Sequence, residues 1–531
     1  MATRDPSRLS RLWPPALAGV AAAVAGLGAA ELAAALFAPD GSPILVVGAL
    51  VIDLVPGWVK EAVVALFGTG DKAVLIVCLG LGVVVLSAVA GVLELRRPPT
   101  GRVIAMAFGS LAVFAAMTRT HANAADALPS VVAMVVAAVL LTVFVNMLRR
   151  PRSAASPAPA AAPAGALGPR DGRSGGLDRR RFLAFAGASA GLGILAGIGG
   201  QLILAAGRAA DAARSLFALP APAVTAAPIL AGASFAIAGL APVITPNADF
   251  YRIDTALQVP RIDPRAWTLK ITGLVETEVA IRYQELLGLP LEESTTTLAC
   301  VSNYIGGDLI GNATWLGYPI RTLLARAKPL AGADMVLSRS QDGWTASTPL
   351  EALTDGRNAI LAVGMNGEPL PYEHGYPVRM VVPGLYGYVS ATKWVVELKL
   401  TRFDTETAYW TTRGWSERGP VKLSSRIDVP KTDAGVSAGQ VTVAGVAWSQ
   451  HVGISAVQVQ VDNGAWTDAT LAEAISADTW RQWAWTWPAT AGRHTLRVRA
   501  TDANGLVQTS VVRDVAPDGA TGLHEISVTV A

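Results

Sequence analysis

Five apolar stretches in the first 206 residues, at 13–38, 73–95, 103–117, 128–148 and 182–206, constrain this chain more than any other feature. A helix needs about 20 apolar residues to cross a bilayer, and the third stretch reaches that length only with its flanks. The segment 44–67 is apolar too, but Asp53, Pro56, Lys60 and Glu61 interrupt it. It reads as a pair of short interfacial or re-entrant pieces rather than a sixth span. With 531 residues, 52% of them hydrophobic and 16% charged, a single soluble domain is excluded.

The arginines orient these spans. Arg4, Arg8 and Arg11 precede the first, Arg96, Arg97 and Arg102 separate the second from the third, and Arg149, Arg150 and Arg152 follow the fourth. The positive-inside rule puts all three clusters, and the N-terminus, in the cytoplasm. The loop 118–127, with His121 and Asp126, then falls outside. His121 reads as a solvated residue at a span's edge, since the spans hold no second histidine for a bis-imidazole haem. Residues 1–152 are thus expected to form a four-span region. Residues 153–178, rich in Ala, Pro, Gly and Ser, have the composition of a disordered cytoplasmic linker. Arg179, Arg180 and Arg181, before Phe182 and Leu183, obey the positive-inside rule and also resemble a twin-arginine export signal, which carries folded cargo. The fifth span, 179–206, would leave everything after about residue 210 outside the cytoplasm. An Ala/Pro-rich tether or wrapping arm, 207–244, follows.

The second half is polar. Residues 267–274 alternate as a half-buried strand does, 283–288 and 319–327 read as short helices, and Asn366-Gly367 is a hairpin-type turn. This mixture predicts an α+β domain over 245–430. Strict alternation at 441–445, 457–461 and 496–500, turns at 462–464 and 502–505, and core candidates Trp448, Trp466, Trp483 and Trp485 predict an immunoglobulin-like β-sandwich over 436–531. Its default role is binding or dimerisation. The net charge of +3 implies no basic face for nucleic acid.

Two cysteines, one in an apolar span (Cys78) and one in the polar half (Cys300), exclude a disulfide framework. Cys300 stands between a β-prone run, Thr295-Thr-Thr-Leu-Ala, and a Gly-rich loop. A lone thiol there is either a small buried hydrophobe or a nucleophile or soft metal ligand. His374, Arg379 and Lys393 bracket an apolar strand and a glycine-containing loop. They read either as ordinary surface charge or as an imidazole, a bidentate cation and a point cation around a phosphate-bearing ligand.

Thr297-Leu-Ala-Cys300-Val-Ser-Asn303, His374 through Arg379 with Pro383, and Tyr386-Gly387 leading to Thr392-Lys393-Trp394 together resemble the sulfite oxidase family of molybdopterin-dependent oxidoreductases, in its membrane-anchored bacterial type. Gly445-Val-Ala-Trp448 and Val461-Asp-Asn-Gly-Ala-Trp466 are similar to that family's C-terminal dimerisation domain. The resemblance runs from Asn247 to the C-terminus. It implies Mo-molybdopterin as cofactor, with Cys300 as the protein's ligand to molybdenum. Asn247, Tyr251, Arg252, Asn303 and Ser340 would hold the pterin, and His374, Arg379, Ser390 and Lys393 would grip the pterin and its phosphate. Its reaction is a two-electron oxygen-atom transfer. Arg413 and Trp415, in Thr-Thr-Arg-Gly-Trp, are candidates to face substrate, with a structural role as the other reading.

The chain departs from the sulfite-oxidising pattern just after Asn303. Tyr304, Ile305, Gly306 and Gly307 stand where an arginine pair is expected, which weakens sulfite and admits a neutral oxo compound such as a sulfoxide. With no haem attachment motif and no cysteine cluster for an iron–sulfur centre, electrons are expected to pass to or from another protein, a cytochrome or a quinone-linked partner. The expected setting is a bacterial cell membrane crossed several times, with the catalytic and C-terminal domains outside and a homodimer through the sandwich. A non-catalytic envelope binding or scaffold protein with the same fold is the other reading.

Overall fold

A computed structural model describes residues 12–38, 41–56, 59, 62–63, 66–67, 70–119, 122–149, 176–211, 219–257 and 259–531. His121, Lys60, Glu61, the arginines before residue 12, Arg150, Arg152 and nearly all of the linker at 153–178 lie outside the described residues. The chain divides into two compact units, Met1–Ala213 and Arg214–Ala531.

The first unit is helical: α1 Trp13–Phe37, α2 Pro43–Leu54, α3 Asp71–Arg96, α4 Thr100–Met117, α5 Leu128–Arg149 and α6 Gly176–Asp211. All but α2 contain a stretch long and apolar enough to cross a membrane. Their outward faces carry large apolar side chains, among them Val77, Leu81, Leu192 and Leu195. Contact between these helices runs partly through large side chains such as Leu141, Phe144 and Phe182 and partly through glycines that allow close backbone approach. A Cβ on Gly28 would lie 1.8 Å from the Gly193 carbonyl oxygen, and one on Gly19 would lie 1.8 Å from that of Ser87. Glu94, buried near the end of α3, accepts from Arg102 Nε at 2.9 Å, and Arg149 Nη2 donates to the Glu94 carbonyl at 2.6 Å. One carboxylate and two arginines thus tie the ends of α3, α4 and α5.

Among the described residues, the second unit holds four sheets. In the first, Val279–Arg282, Thr268–Gly273, Val395–Thr401, Met335–Ser340 and Thr345–Pro349 lie side by side in that order, antiparallel except where Thr268–Gly273 meets Val395–Thr401. In the second, Glu292–Ala299, Ile310–Pro319, Ile360–Met365 and Glu368–Pro369 follow one another, and Arg379–Val381 pairs with Ile360–Met365. The Asn366-Gly367 turn forms as the sequence predicts, both residues at positive φ, which a two-residue hairpin of this kind requires. Helices Tyr283–Leu287 and Ile320–Ala327 also form where expected.

The C-terminal region is β-rich. One sheet runs Ser424–Val429, Gly439–Trp448, Arg481–Ala489, Thr470–Leu471; the other runs Ala434–Val436, His524–Val530, Gly492–Asp502, Ile454–Val461, Trp466–Asp468. They close on a common core of Val443, Trp483, Trp487, Val457, Val459, Leu496, Val498 and Val528. Ser424–Val429, ahead of the 436 start expected from alternation, pairs into this sandwich through Gly439–Trp448. Its pattern hides the strand because Arg426 and Asp428 are charged yet buried, neutralising each other at 2.7 Å. Of the four tryptophans expected in the core, Trp483 is. Trp485 only packs against its edge, Trp448 belongs to the larger core of the α+β sheets, and Trp466 lies half-buried under the Arg499 guanidinium.

Residues 219–244 form an arm with little regular structure. Val224 bridges to Glu292, Phe235 N donates to Gln482 Oε1, and Ala241 N donates to Asp428 Oδ2. The arm then joins the second sheet, where Thr245 N donates to the Asn312 carbonyl.

Candidate active site

Cys300 follows directly on the strand Glu292–Ala299 and is 9% exposed. Its N–H donates to the Leu309 carbonyl at 2.9 Å, which closes the loop that leads into Ile310–Pro319. Burial pushes the thiol above its ordinary pKa, against hydrogen bonds from the Ser302 N–H and hydroxyl and the Val301 N–H. Those donors are where a thiolate would need them. Asn303 closes the same loop from inside, its Oδ1 accepting from Leu309 N at 2.9 Å.

The cations gather at one end of the second sheet. Arg379, on its short strand, is 5% exposed, and its guanidinium donates to the carbonyls of His374 and Ala391 at 3.1 and 3.4 Å, and stacks on Trp315. No carboxylate pairs with it among the described residues. Burial lowers its pKa to about 10. Lys393 Nζ donates to Asp254 Oδ2 at 2.7 Å and to the Glu373 carbonyl at 3.0 Å. Burial lowers it to about 8, with Asp254 opposing and Arg379 and Arg252 adding to the shift. Arg252 Nε reaches the same Asp254 oxygen at 2.9 Å. His374 Nε2 donates to the Asn247 carbonyl at 3.2 Å, and burial, then Arg379 and Lys393, push its pKa down to about 4. Gly375 is required between them. Its φ of +109° is left-handed, and a Cβ there would sit 3.0 Å from that of Arg379 and 3.2 Å from that of Lys393.

Beside this group lies a cavity of about 280 Å³ lined by Asn247, Phe250, Arg252, Glu373 and His374, among others. Asn247 is fixed there by Asn366, whose amide donates to its Oδ1 at 2.8 Å. Tyr251 stacks on Phe250, with ring centroids 5.2 Å apart, and lies within electrostatic reach of both Cys300 and Arg379. Burial, then Cys300, holds its proton on firmly. Ser340 ends a strand whose neighbour is Val395, and its buried hydroxyl has no partner among the described residues.

Asn247, Tyr251, Arg252, His374, Arg379 and Lys393 are thus brought together, with Cys300 within electrostatic reach through Tyr251. Two others are engaged locally. Ser390 Oγ donates within its own turn to the Tyr386 carbonyl at 2.9 Å. Arg413 lies with its guanidinium 3.6 Å from the centre of the Tyr409 ring and donates to the Tyr409 carbonyl at 2.7 Å, while Trp415 packs on Tyr388. Asp254 and Ser302 were not singled out by the sequence. Asp254 is two residues beyond Arg252 and Ser302 is inside the Cys300 motif, so adjacency to a chemical residue was the only available signal.

Residues 256–410 match the family model described as an oxidoreductase molybdopterin binding domain. An uncharacterised oxidoreductase of Bacillus subtilis, YuiH, is 30% identical over 157 residues, covering 30% of this chain and 76% of the relative. The mitochondrial sulfite oxidase of Macaca fascicularis is 28% identical over 323 residues, 51% of this chain and 58% of the relative, so the chain spans little more than half of that enzyme's length. The crystal structure of the sulfane dehydrogenase SoxCD from Paracoccus pantotrophus aligns with a TM-score of 0.48 at 24% identity, over 55% of this chain and 82% of that one. With a YuiH match spanning most of that relative, and a molybdopterin-domain match that takes in Cys300, His374, Arg379 and Lys393, the chain belongs to the sulfite oxidase family of molybdopterin-dependent oxidoreductases.

Proposed function

We propose that this is a membrane-anchored enzyme that holds Mo-molybdopterin through Cys300 and the Arg379 cluster and performs two-electron oxygen-atom transfer on the extracytoplasmic face, on a sulfur compound of the sulfite or sulfoxide type. The observation that carries the reading is Arg379, a buried guanidinium with no carboxylate partner among the described residues. An uncompensated buried cation is costly, and an anionic ligand such as a phosphate relieves it. The orphan Ser340 hydroxyl and the cavity beside His374 support the same fit.

When bound, the cofactor supplies a molybdenum centre that carries the oxygen-atom transfer and the electron steps. The residues around it have other tasks. The Ser302 and Val301 donors favour the thiolate form of Cys300 that metal ligation needs. Arg379, with Lys393 behind it, would anchor the phosphate, while Asp254 holds Lys393 and Arg252 in place. Tyr251, kept protonated by burial, would offer a hydroxyl donor within electrostatic reach of both Cys300 and Arg379. Asn303 shapes the loop past Cys300, and substrate would meet the half-exposed Tyr304 on it.

The five long apolar helices support a multi-pass membrane region with a cytoplasmic N-terminus, and Arg179-Arg180 ahead of the last one supports export of a folded, cofactor-loaded domain. The two-sheet sandwich supports an immunoglobulin-like dimerisation domain. Electrons would go to or come from a separate cytochrome or quinone-linked protein.

Metal analysis of the purified full-length protein, from cells that make the cofactor, tests the proposal. Molybdenum near one per chain is expected, and Cys300→Ser should abolish oxygen-atom transfer to dye-linked acceptors. Protein free of molybdenum and pterin, or a Cys300→Ser variant with full cellular function, would leave a scaffold role instead.

A further inference from the structure

Two side chains of the C-terminal sandwich grip the loop after Cys300. Gly306 has φ +77°, and a Cβ there would lie 2.2 Å from His524 Nε2, so the imidazole sits directly against the loop backbone. His524 opens the strand His524–Val530, and its Nδ1 accepts from Ile427 N at 2.9 Å. That bond fixes the ring plane and the tautomer, leaving the proton on Nε2, toward Gly306. Burial and the nearby Arg426 lower its pKa to about 4, so the ring is neutral at physiological pH. Next to it, Arg426 Nη1 donates to the Gly307 carbonyl at 2.6 Å, while its Nε is held by Asp428 at 2.7 Å. Asp428 in turn accepts from Ala241 N of the arm.

We propose that His524 and Arg426 are positioning residues of the Cys300 site, fixing the backbone of Gly306 and Gly307 and through it the substrate preference written in Tyr304 and Ile305. The loop's own closures, Cys300 N to the Leu309 carbonyl and Leu309 N to Asn303 Oδ1, secure its two ends. Within the loop, Asn303 N bonds the Cys300 carbonyl and Gly307 N bonds the Tyr304 carbonyl, local turns to which the sandwich adds contacts from outside. Two glycines in succession would otherwise sample many conformations. The sandwich supplies a steric wall at one glycine and a charge-assisted hydrogen bond at the other, which together select one. Ile305 of the loop also meets a third part of the sandwich, where a Cβ on Gly522 would lie 3.7 Å from Ile305 and 3.4 Å from Val512. The effect on substrate rests on the function proposed above; the effect on the loop does not.

The test compares full-length wild type with His524→Ala, Arg426→Gln, Gly306→Ala and the double variant Gly306→Ala/His524→Ala. Hydrogen exchange at amides 304–308 is read against amides of the neighbouring strand Ile310–Pro319, which needs no turnover. Expected are at least tenfold faster exchange in the loop for each single variant, with the strand unchanged, and partial recovery of Gly306→Ala in the double, because removal of the ring makes room for the added methyl. In cofactor-loaded protein, the ratio of kcat/KM for sulfite and for dimethyl sulfoxide should shift by about tenfold or more in His524→Ala. Loop exchange that stays at the wild-type rate overturns the proposal, as does a rise shared equally by loop and strand or an additive double variant. A loosened loop with an unchanged substrate ratio overturns the specificity role. If neither substrate is turned over by wild type, the proposed substrate class fails, while the exchange experiment still decides the positioning role.

Discussion

Arg379 is the residue on which opposite demands meet. Without cofactor it is a buried cation satisfied, among the described residues, by main-chain carbonyls and the Trp315 face; with an anion beside it, the same charge becomes an anchor. Arg379→Met should therefore separate stability from binding. The cofactor-free variant is expected to be as stable as wild type or up to about 2 kcal/mol more stable, since replacing buried ionic groups with apolar ones is often neutral or favourable. Its molybdopterin content should drop roughly 10- to 100-fold, the equivalent of one or two charge-assisted hydrogen bonds at about 1.5–3 kcal/mol each. Thermal melts of apoprotein and cofactor assay of purified protein check the two halves. A pH effect belongs to the same scale. His374 and His524 both titrate near 4 in the folded chain, against 6.5 ordinarily, because burial disfavours their charged forms. Between those values the unfolded chain binds the extra protons, so stability is full above about pH 6.5, falls as pH drops through that window, and levels off below about pH 4. Each histidine contributes up to about 3 kcal/mol to that fall. Urea titrations of apoprotein across pH 4–7 should show the slope, and cofactor-loaded protein should show less of it, since a phosphate near His374 favours the imidazolium.

At the scale of elements, the seam between α1 and α6 makes a sharp demand. Gly28 faces the Gly193 carbonyl with no space for a side chain, whereas a Cβ on Gly191 of the same helix would meet nothing within 4 Å. Gly28→Leu should destabilise the helical unit in detergent by about 3 kcal/mol, in the range of overpacked cores, and Gly191→Leu should be tolerated. Equal melting losses in the two variants would contradict the seam. Elements were also what the sequence revealed best. Periodicity located Thr268–Gly273, Tyr283–Leu287 and Ile320–Ala327, and the Asn366-Gly367 turn announced its hairpin, because these depend on neighbours in the chain. Ser424–Val429 escaped, since its inward charges are acceptable only through an Arg426–Asp428 pairing that polarity patterns cannot show. The site divides likewise. Cys300, His374, Arg379 and Lys393 carry chemistry in their residue types and spacing. Asp254 under Lys393 and the His524 ring on Gly306 arise from chain segments that meet only on folding.

For the whole molecule, the proposed topology makes one demand on assembly. If a folded, cofactor-loaded domain is exported through Arg179-Arg180, changing both to Lys should leave that domain inside. Protease added to intact spheroplasts should then spare residues after about 219, while wild type is cut. Equal cleavage of both would remove the twin-arginine role and leave the positive-inside reading of those arginines.

The arm at 219–244 has a mechanical consequence. Tension on the chain from its N-terminal side does not arrive at one point: Val224 loads the strand edge at Glu292, Phe235 loads Gln482, Ala241 loads Asp428, and only then does strain reach Thr245 and Asn312. These attachments lie along the arm in series, the first and last on the α+β sheets and the two between them on the sandwich, so a pull is shared by both parts. The arm thus laces the two parts of the unit together, and a tug on it is met by both before it reaches Ile310–Pro319, the strand that follows the Cys300 loop.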